Sequence, residues 1–236
     1  MNYLSIIIPI HNEKEILEIE TISLILALEK SIGRSDYEMI LVENGSSDDT
    51  LNIARRLAKR NQQIKVLSMD KPDYGEAMKE GILQSKGLYS AVFNIDFWDV
   101  NALKTALGLM ENEGKDIIVC SKTIKGSKDL RPLKRRFITR NFNFILRVFF
   151  SYKGTDTHGI KFFRTKVIIP IVKECFTGGG MFDTEVLLRA QYHGLQISEI
   201  PVVCVEREKR KSFFKITKHG PKVLKDLFLL FIRLRG

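Results

Sequence analysis

Through the first 120 residues, short apolar runs alternate with segments of helical periodicity, and this alternation limits the chain to few folds. The runs are "LSIIIPI", "YEMILVEN", "IKVLSM", "YSAVFNI" and "DIIVCSK". They are continuous rather than alternating, as expected of parallel strands covered on both faces. Between them lie "EKEILEIETISLILALEKSI", stopped by Gly33, then "DTLNIARRLAKRN", "EAMKEGILQSKG" and "VNALKTALGLMENEG". Ser46, Ser47 and Asp48 are candidate caps for the second of these helices. Strand followed by helix, repeated, predicts an α/β fold with a doubly wound, mostly parallel sheet flanked by helices. Ligands in such sheets sit beyond the carboxyl ends of the strands, where His11, Glu43, Asn44, Asp73 and Asp96 fall.

The second half changes character. "RRFITRNFNFILRVFF" reads as a helix with Phe137, Phe144, Ile145, Val148 and Phe149 on one broad face. "GTDTHGIKFFRT" reads as a turn and a strand, and "GGG" at 178–180 as a flexible hinge. "MFDTEVLLRAQYHG" reads as a helix, "QISEIPVVCVER" as a last strand, and "PKVLKDLFLLFIRLRG" as a basic amphipathic terminal helix. The chain of 236 residues is divided on this basis into a domain over 1–215, made of halves 1–120 and 121–215, and a terminal helix over 216–236.

Charge narrows the partners. The net charge is +10, with pI ≈ 9.5. Ten of the basic residues fall between 122 and 153, against only Asp129. A second cluster runs from Arg207 to Lys222. Such blocks suit nucleic acid, anionic lipid or phosphorylated substrates. No nucleic-acid motif accompanies them, so no nucleic-acid partner is expected. The opening "MNYLSIIIPIHNE" lacks the basic region and cleavage site of a secretory signal, and no apolar segment reaches the roughly 20 residues of a membrane span. Cys120, Cys175 and Cys204 are odd in number and widely spaced, and Cys120 and Cys204 lie in apparent buried strands. Free thiols in a reducing compartment are expected, not a metal centre.

The stretch "AVFNIDFWDV" poses the chemical question. Its apolar run ends at Asn94, and a carboxylate follows two residues later at Asp96. Taken with "IIIPIHNE", "ILVENGSSDDT", "DTHGIKFFR" and "FDTEVLLRAQYHGLQISEIPV", in this order and spacing, the chain resembles the family 2 glycosyltransferases of GT-A fold. Within that family it is most similar to the dolichyl- and polyprenyl-phosphate mannose and glucose synthases. The resemblance covers about residues 1–215.

The resemblance implies an inverting hexosyltransferase that uses a nucleoside diphosphate sugar. The implied acceptor is polyprenyl phosphate, or another glycan acceptor, at the cytoplasmic face of a membrane. It places Pro9, His11, Glu13, Glu43, Asn44, Asp73, Asn94 and Asp96 around the sugar nucleotide, with His11 as a stacking platform. It places Asn94 and Asp96 at a divalent cation, Mg²⁺ or Mn²⁺. Asn94 stands where the family carries a first aspartate, so weaker metal binding is expected. Trp98 replaces a further polar ligand, and Asp99 lies one residue beyond it.

The resemblance also assigns Arg207 and Lys211 to the diphosphate, and Asp183 as the base for a hydroxyl acceptor, with Glu185 and His158 as neighbours. Residue types alone leave other readings open. Asp96, Asp99 and Asp183 suit helix starts, and Glu43 and Asn44 suit a cap and a tight turn at Gly45. The basic helices suit packing on the sheet or a homodimer as well as peripheral contact with an anionic membrane. A fold retained for sugar-nucleotide binding after loss of transfer is the alternative function.

Overall fold

The computed structural model describes residues 2–33, 36–204 and 216–235. Its centre is a seven-stranded sheet in the order β3-β2-β1-β4-β7-β5-β8. These strands are β1 (Leu4–Ile10), β2 (Tyr37–Asn44), β3 (Ile64–Met69), β4 (Tyr89–Val92), β5 (Ile117–Ser121), β7 (Lys161–Arg164) and β8 (Ile197–Pro201). Every pairing is parallel except those of β7, which runs antiparallel between β4 and β5. Two short strands, β6 (Lys128–Asp129) and β9 (Val203–Cys204), pair separately.

The apolar runs form strands because both faces of the sheet are covered. β1, β2, β4 and β5 are buried at every residue. One face carries α1 (Leu17–Ile32), α2 (Thr50–Arg60) and α4 (Val100–Glu113). The other carries α3 (Tyr74–Leu83), α5 (Leu133–Phe150), α6 (Thr165–Glu174), α7 (Met181–Tyr192) and α8 (Ile216–Arg235). Gly33 and Gly114 end α1 and α4 at φ 61° and 66°, the left-handed conformation for which glycine is suited.

Several expectations need correction. α1 begins at Leu17, after a turn at Glu13, and α3 begins at Tyr74 rather than Glu76. Asp48 accepts the Thr50 N–H at 2.9 Å, whereas Ser46 and Ser47 bond to Asn12 instead of capping α2. Cys204 is only partly buried.

Residues 178–180 are not a free hinge. A Cβ on Gly178 would lie 2.5 Å from the Asp73 carboxylate, and Gly179 has a φ of 56°, so close approach fixes the first of these glycines and a left-handed backbone the second.

The predicted apolar face of α8 is divided. Leu227 and Leu230 enter the core, while Leu224 and Phe228 are each 63% exposed. α5 is divided in the same way, burying Leu146 and Phe150 but exposing Phe137, Phe144, Val148 and Phe149. The Phe231 ring packs edge-on to Phe149 and Phe150, which sets the two helices together. Among the described residues, no helix is long and apolar enough to cross a membrane.

Candidate active site

At the carboxyl end of β1 and β2 the chain makes two turns that hold each other. His11 Nδ1 lies 2.7 Å from the Asn44 carbonyl oxygen and so carries the proton toward it. His11 Nε2 is then the acceptor for the Asn12 amide at 3.1 Å. Glu13 is anchored through its backbone N–H to Thr50 Oγ1 at 2.8 Å. Pro9 sits within β1, opposite Val42.

Glu43 is 2% exposed and turned inward. Its two oxygens accept from the Ser46 N–H at 2.5 Å and the Ser68 hydroxyl at 3.1 Å. Asn44 Oδ1 accepts the Asp73 N–H at 2.6 Å. Both side chains hold the turn at Gly45, whose φ is 61°. Holding this turn is the structural role that the residue types suggested for Glu43 and Asn44.

Asp73 ties the two halves together. As the N-cap of α3 it accepts from Glu76 N–H at 3.0 Å, and the same oxygen accepts from Gly179 N–H at 2.7 Å. The next residue, Tyr74, donates its hydroxyl to Asn94 Oδ1 at 3.1 Å. Burial pushes the Tyr74 phenol well up, and the charges of Asp183 and Asp96 push it further. The phenol therefore stays protonated, in a position that feels both carboxylates. Tyr74 was not legible as a site residue, since a tyrosine after a helix cap carries no signal of its own.

Beyond Asn94 the chain turns back, with Phe97 N–H donating to the Asn94 carbonyl at 3.0 Å. Trp98 turns toward α1, donating to Glu20 at 3.1 Å, and Asp99 caps α4 by accepting Ala102 N–H at 2.9 Å. Asp99 therefore has a structural role as the cap of α4. Among the described residues, no group of three His, Cys, Asp or Glu side chains is placed to hold a metal. The oxygen donors that the sequence places at this position are the Asp96 carboxylate and the Asn94 side-chain carbonyl, which accepts from Tyr74. Two oxygen donors fit a hard cation that keeps waters and arrives with substrate phosphates, rather than one caged by protein alone.

The acceptor side is built from α7 and the loop before β7. Asp183 is buried in an ion pair with Lys161, which also donates to the Gly159 carbonyl at 2.9 Å. Glu185 is not a competing base. It accepts from Phe176 and Thr177 N–H groups at 3.1 and 2.7 Å, and from Arg189 at 2.8 Å. His158 sits beside Thr157 at 2.9 Å, and burial lowers its pKa, so its imidazole is neutral at neutral pH.

Asp156, 1% exposed, pairs with Lys122 at 2.7 Å. Burial works to raise its pKa, but the Lys122 charge and hydrogen bonds from Lys122 and the His158 backbone outweigh this and bring it to about 2. A pKa depressed on folding stabilises above its unfolded value and is lost as pH falls through its folded value. Asp156 should therefore contribute about 2 kcal/mol that disappears between roughly pH 4 and pH 2. Urea midpoints across this range, compared with those of Asp156→Asn, check it; parallel pH profiles would remove the assignment.

Lys122, Asp156 and His158 open onto a cavity of about 400 Å³. Arg131, Arg135, Lys222 and the Gly178–Gly180 backbone also line it, with Ile138, Phe142, Met181 and Val223 supplying apolar surface. Arg131 is held by Asp129 through paired hydrogen bonds of 2.8 Å. Basic side chains, backbone at the start of α7 and an apolar wall suit an amphiphile with an anionic head. Arg207 and Lys211 lie outside the described residues.

The family model "Glycosyl transferase family 2" matches residues 5–172. The dolichyl-phosphate beta-glucosyltransferase of Saccharomyces cerevisiae is 26% identical over 249 residues, covering 97% of this chain and 74% of the relative. The human dolichyl-phosphate beta-glucosyltransferase is 29% identical over 250 residues, covering 98% and 75%. Glycosyltransferase AglD of Haloferax volcanii is 26% identical over 201 residues, covering 84% of this chain and 32% of the relative. Among solved structures, glucosyl-3-phosphoglycerate synthase from Mycobacterium tuberculosis, in complex with Mn²⁺, UDP and phosphoglyceric acid, superposes with a TM-score of 0.71 at 16% identity. That match covers 98% of this chain and 78% of the other. A mannosyltransferase from Pyrobaculum calidifontis, in complex with GDP-Man and Mn²⁺, gives 0.59 at 18% identity, covering 89% and 58%. These structures bear out the GT-A architecture.

Proposed function

The chain belongs to glycosyl transferase family 2 and is a glycosyltransferase, and from that premise we propose that it moves a hexose from a nucleoside diphosphate sugar to polyprenyl phosphate. The observation that carries this reading is the apolar-walled cavity lined by Lys122, Arg131, Arg135, Lys222 and His158. The names of the relatives, dolichyl-phosphate beta-glucosyltransferases, agree with it.

The donor would lie over the ends of β1, β2 and β4, with its diphosphate at Asn94 and Asp96. Asp96, with the Asn94 carbonyl as a neutral second ligand, would hold a divalent cation. When bound, that cation supplies positive charge to the departing diphosphate. An oxygen of the acceptor phosphate attacks the anomeric carbon on the side opposite the diphosphate, and one displacement inverts that centre. The acceptor phosphate is already anionic at neutral pH, so the reaction needs no strong base. The Lys161–Asp183 ion pair fits this, because the carboxylate is buried against an ammonium rather than left open to an acceptor hydroxyl. Lys122, Arg131, Arg135 and Lys222 would draw in the phosphate head and orient it.

The test is incubation with labelled nucleotide sugars and polyprenyl phosphate, with and without Mn²⁺. Label should enter an acid-labile lipid. Transfer to neutral hydroxyl acceptors only would overturn the acceptor assignment. Asp183→Asn sharpens it: a hydroxyl acceptor would cost about 10²–10⁴-fold, a lipid phosphate much less. Because the change also unpairs Lys161, thermal midpoints are measured on the same samples.

The polyprenyl acceptor also calls for a membrane, and the exposed apolar residues of α5 and α8, flanked by Lys and Arg, would lie in its interface. Localisation at the cytoplasmic membrane face follows from the same reading. Truncating α8 would confound the test by removing core residues Leu227 and Leu230. Phe144→Ser with Phe228→Ser avoids this. The wild-type chain should sediment with anionic vesicles, less so as salt rises, and the double variant should stay in the supernatant. Equal sedimentation of both proteins would dismiss this surface.

A further inference from the structure

Tyr74 stands at the junction of the two halves of the site, on backbone with little freedom. Asp73 before it is tied to Asn44, to Glu76 and to Gly179. Gly75 after it is packed so closely that a Cβ would lie 2.7 Å from Gly179 N and from Phe182 Cβ. From this fixed base the phenol donates to Asn94 Oδ1 at 3.1 Å.

An amide side chain has two unlike ends, and this hydrogen bond decides which of them is held. With the carbonyl engaged, Asn94 keeps two N–H donors. These have no hydrogen-bond partner among the described residues, and the nitrogen is not among the buried atoms sealed without one. Asn94 follows β4 at the carboxyl end of the sheet, two residues before Asp96.

Resting on the glycosyl-transfer reading, we propose that Tyr74 is a positioning residue whose hydroxyl holds the Asn94 carbonyl so that the amide N–H groups meet the diphosphate of the donor. A phosphate oxygen accepts from an amide, whereas it repels a carboxylate unless a cation lies between them. The Asn94 amide therefore gives the site a hydrogen bond to the diphosphate that needs no metal, while the second lone pair of its carbonyl serves the cation held with Asp96. Tyr74 acts through Asn94 and does not itself touch the reacting atoms.

The test is a double-mutant cycle read as binding, not as catalysis. UDP and GDP are titrated calorimetrically into wild type, Tyr74→Phe, Asn94→Ala, the double variant and Asn94→Asp, in EDTA and again in Mn²⁺. In EDTA, wild type should bind one of the two diphosphates. Asn94→Ala should weaken that binding about tenfold or more, as loss of a hydrogen bond to a charged acceptor does. Tyr74→Phe should weaken it several-fold with its thermal midpoint unchanged, and should cost nothing further in the Asn94→Ala background. Asn94→Asp should lose binding in EDTA and regain it in Mn²⁺.

The proposal is overturned if Tyr74→Phe binds as wild type, if the two effects add, if Asn94→Asp binds normally in EDTA, or if wild type needs Mn²⁺ to bind either diphosphate. Hexose transfer by the same proteins separates the two readings. The expected binding cycle without transfer leaves Tyr74 in place and removes the proposed reaction.

Discussion

Asp96→Ala is expected to lower hexose transfer by at least about 100-fold while the thermal midpoint stays close to that of the wild-type chain. The size follows from how few anionic groups the site has. Asn94 is neutral, Trp98 is turned to Glu20, and Asp99 is used as the cap of α4. No group of three acidic, His or Cys side chains stands ready to replace it among the described residues. Removing one preorganised electrostatic partner of a developing charge costs about 10²–10³-fold even where others remain. Asn94→Asp should move Mn²⁺ affinity the other way, because it returns a charged ligand. Wild-type turnover by Asp96→Ala, measured as sugar transferred at saturating Mn²⁺, would take the carboxylate out of the site.

The second large effect is on stability. Lys122→Met should cost about 3–5 kcal/mol, read as a fall in urea midpoint with unchanged slope. Asp156 is 1% exposed and has Lys122 as its cation, so the variant would leave a carboxylate buried without a countercharge. It would keep hydrogen bonds from the Lys122 and His158 N–H groups, at 3.1 and 3.0 Å, which do not depend on the lysine side chain. Asp156→Asn in the Lys122→Met background should recover most of the loss, since the isosteric amide carries no charge to neutralise. A Lys122→Met protein as stable as wild type at neutral pH would mean that the pair is open to water.

The parallel core was legible because continuous burial leaves its mark on sequence as unbroken apolar runs, and because Gly33 and Gly114 punctuate the helices. α6 was not legible. Val167, Ile168, Ile169, Ile171 and Val172 are β-branched, and Pro170 lies within the helix. Each of these opposes a helix locally. Burial of Ile168, Ile171 and Val172 against α3 and α7 overrides that preference.

The site divides along similar lines. Asn94, Asp96 and Asp183 could be picked out because they lie in short motifs resembling a family pattern. Tyr74, Lys161 and the Lys122–Asp156 pair depend on partners 20 or more residues away, which one sequence cannot reveal. Glu43 is of the same kind: an acid at the end of a strand suits a ligand or a turn, and only the fold shows that it accepts from Ser46 and Ser68.

The antiparallel strand β7 has a consequence for how such a protein can acquire a new acceptor. β5 and β7 are direct neighbours, with Ile118 opposite Phe162, so residues 122–160 form one oversized hairpin loop closed at its base by strand pairing. That loop carries α5, the basic residues from Lys122 to Lys153, and most of the cavity wall. Closing a flexible loop costs only about 0.6 kcal/mol more for each doubling of its length. The segment is therefore a cassette: it leaves and re-enters the sheet at two adjacent points, while the nucleotide end, on β1, β2 and β4, lies outside it. Transplanting residues 122–160 between relatives, together with the facing surface of α8, should change what receives the sugar and leave what donates it unchanged.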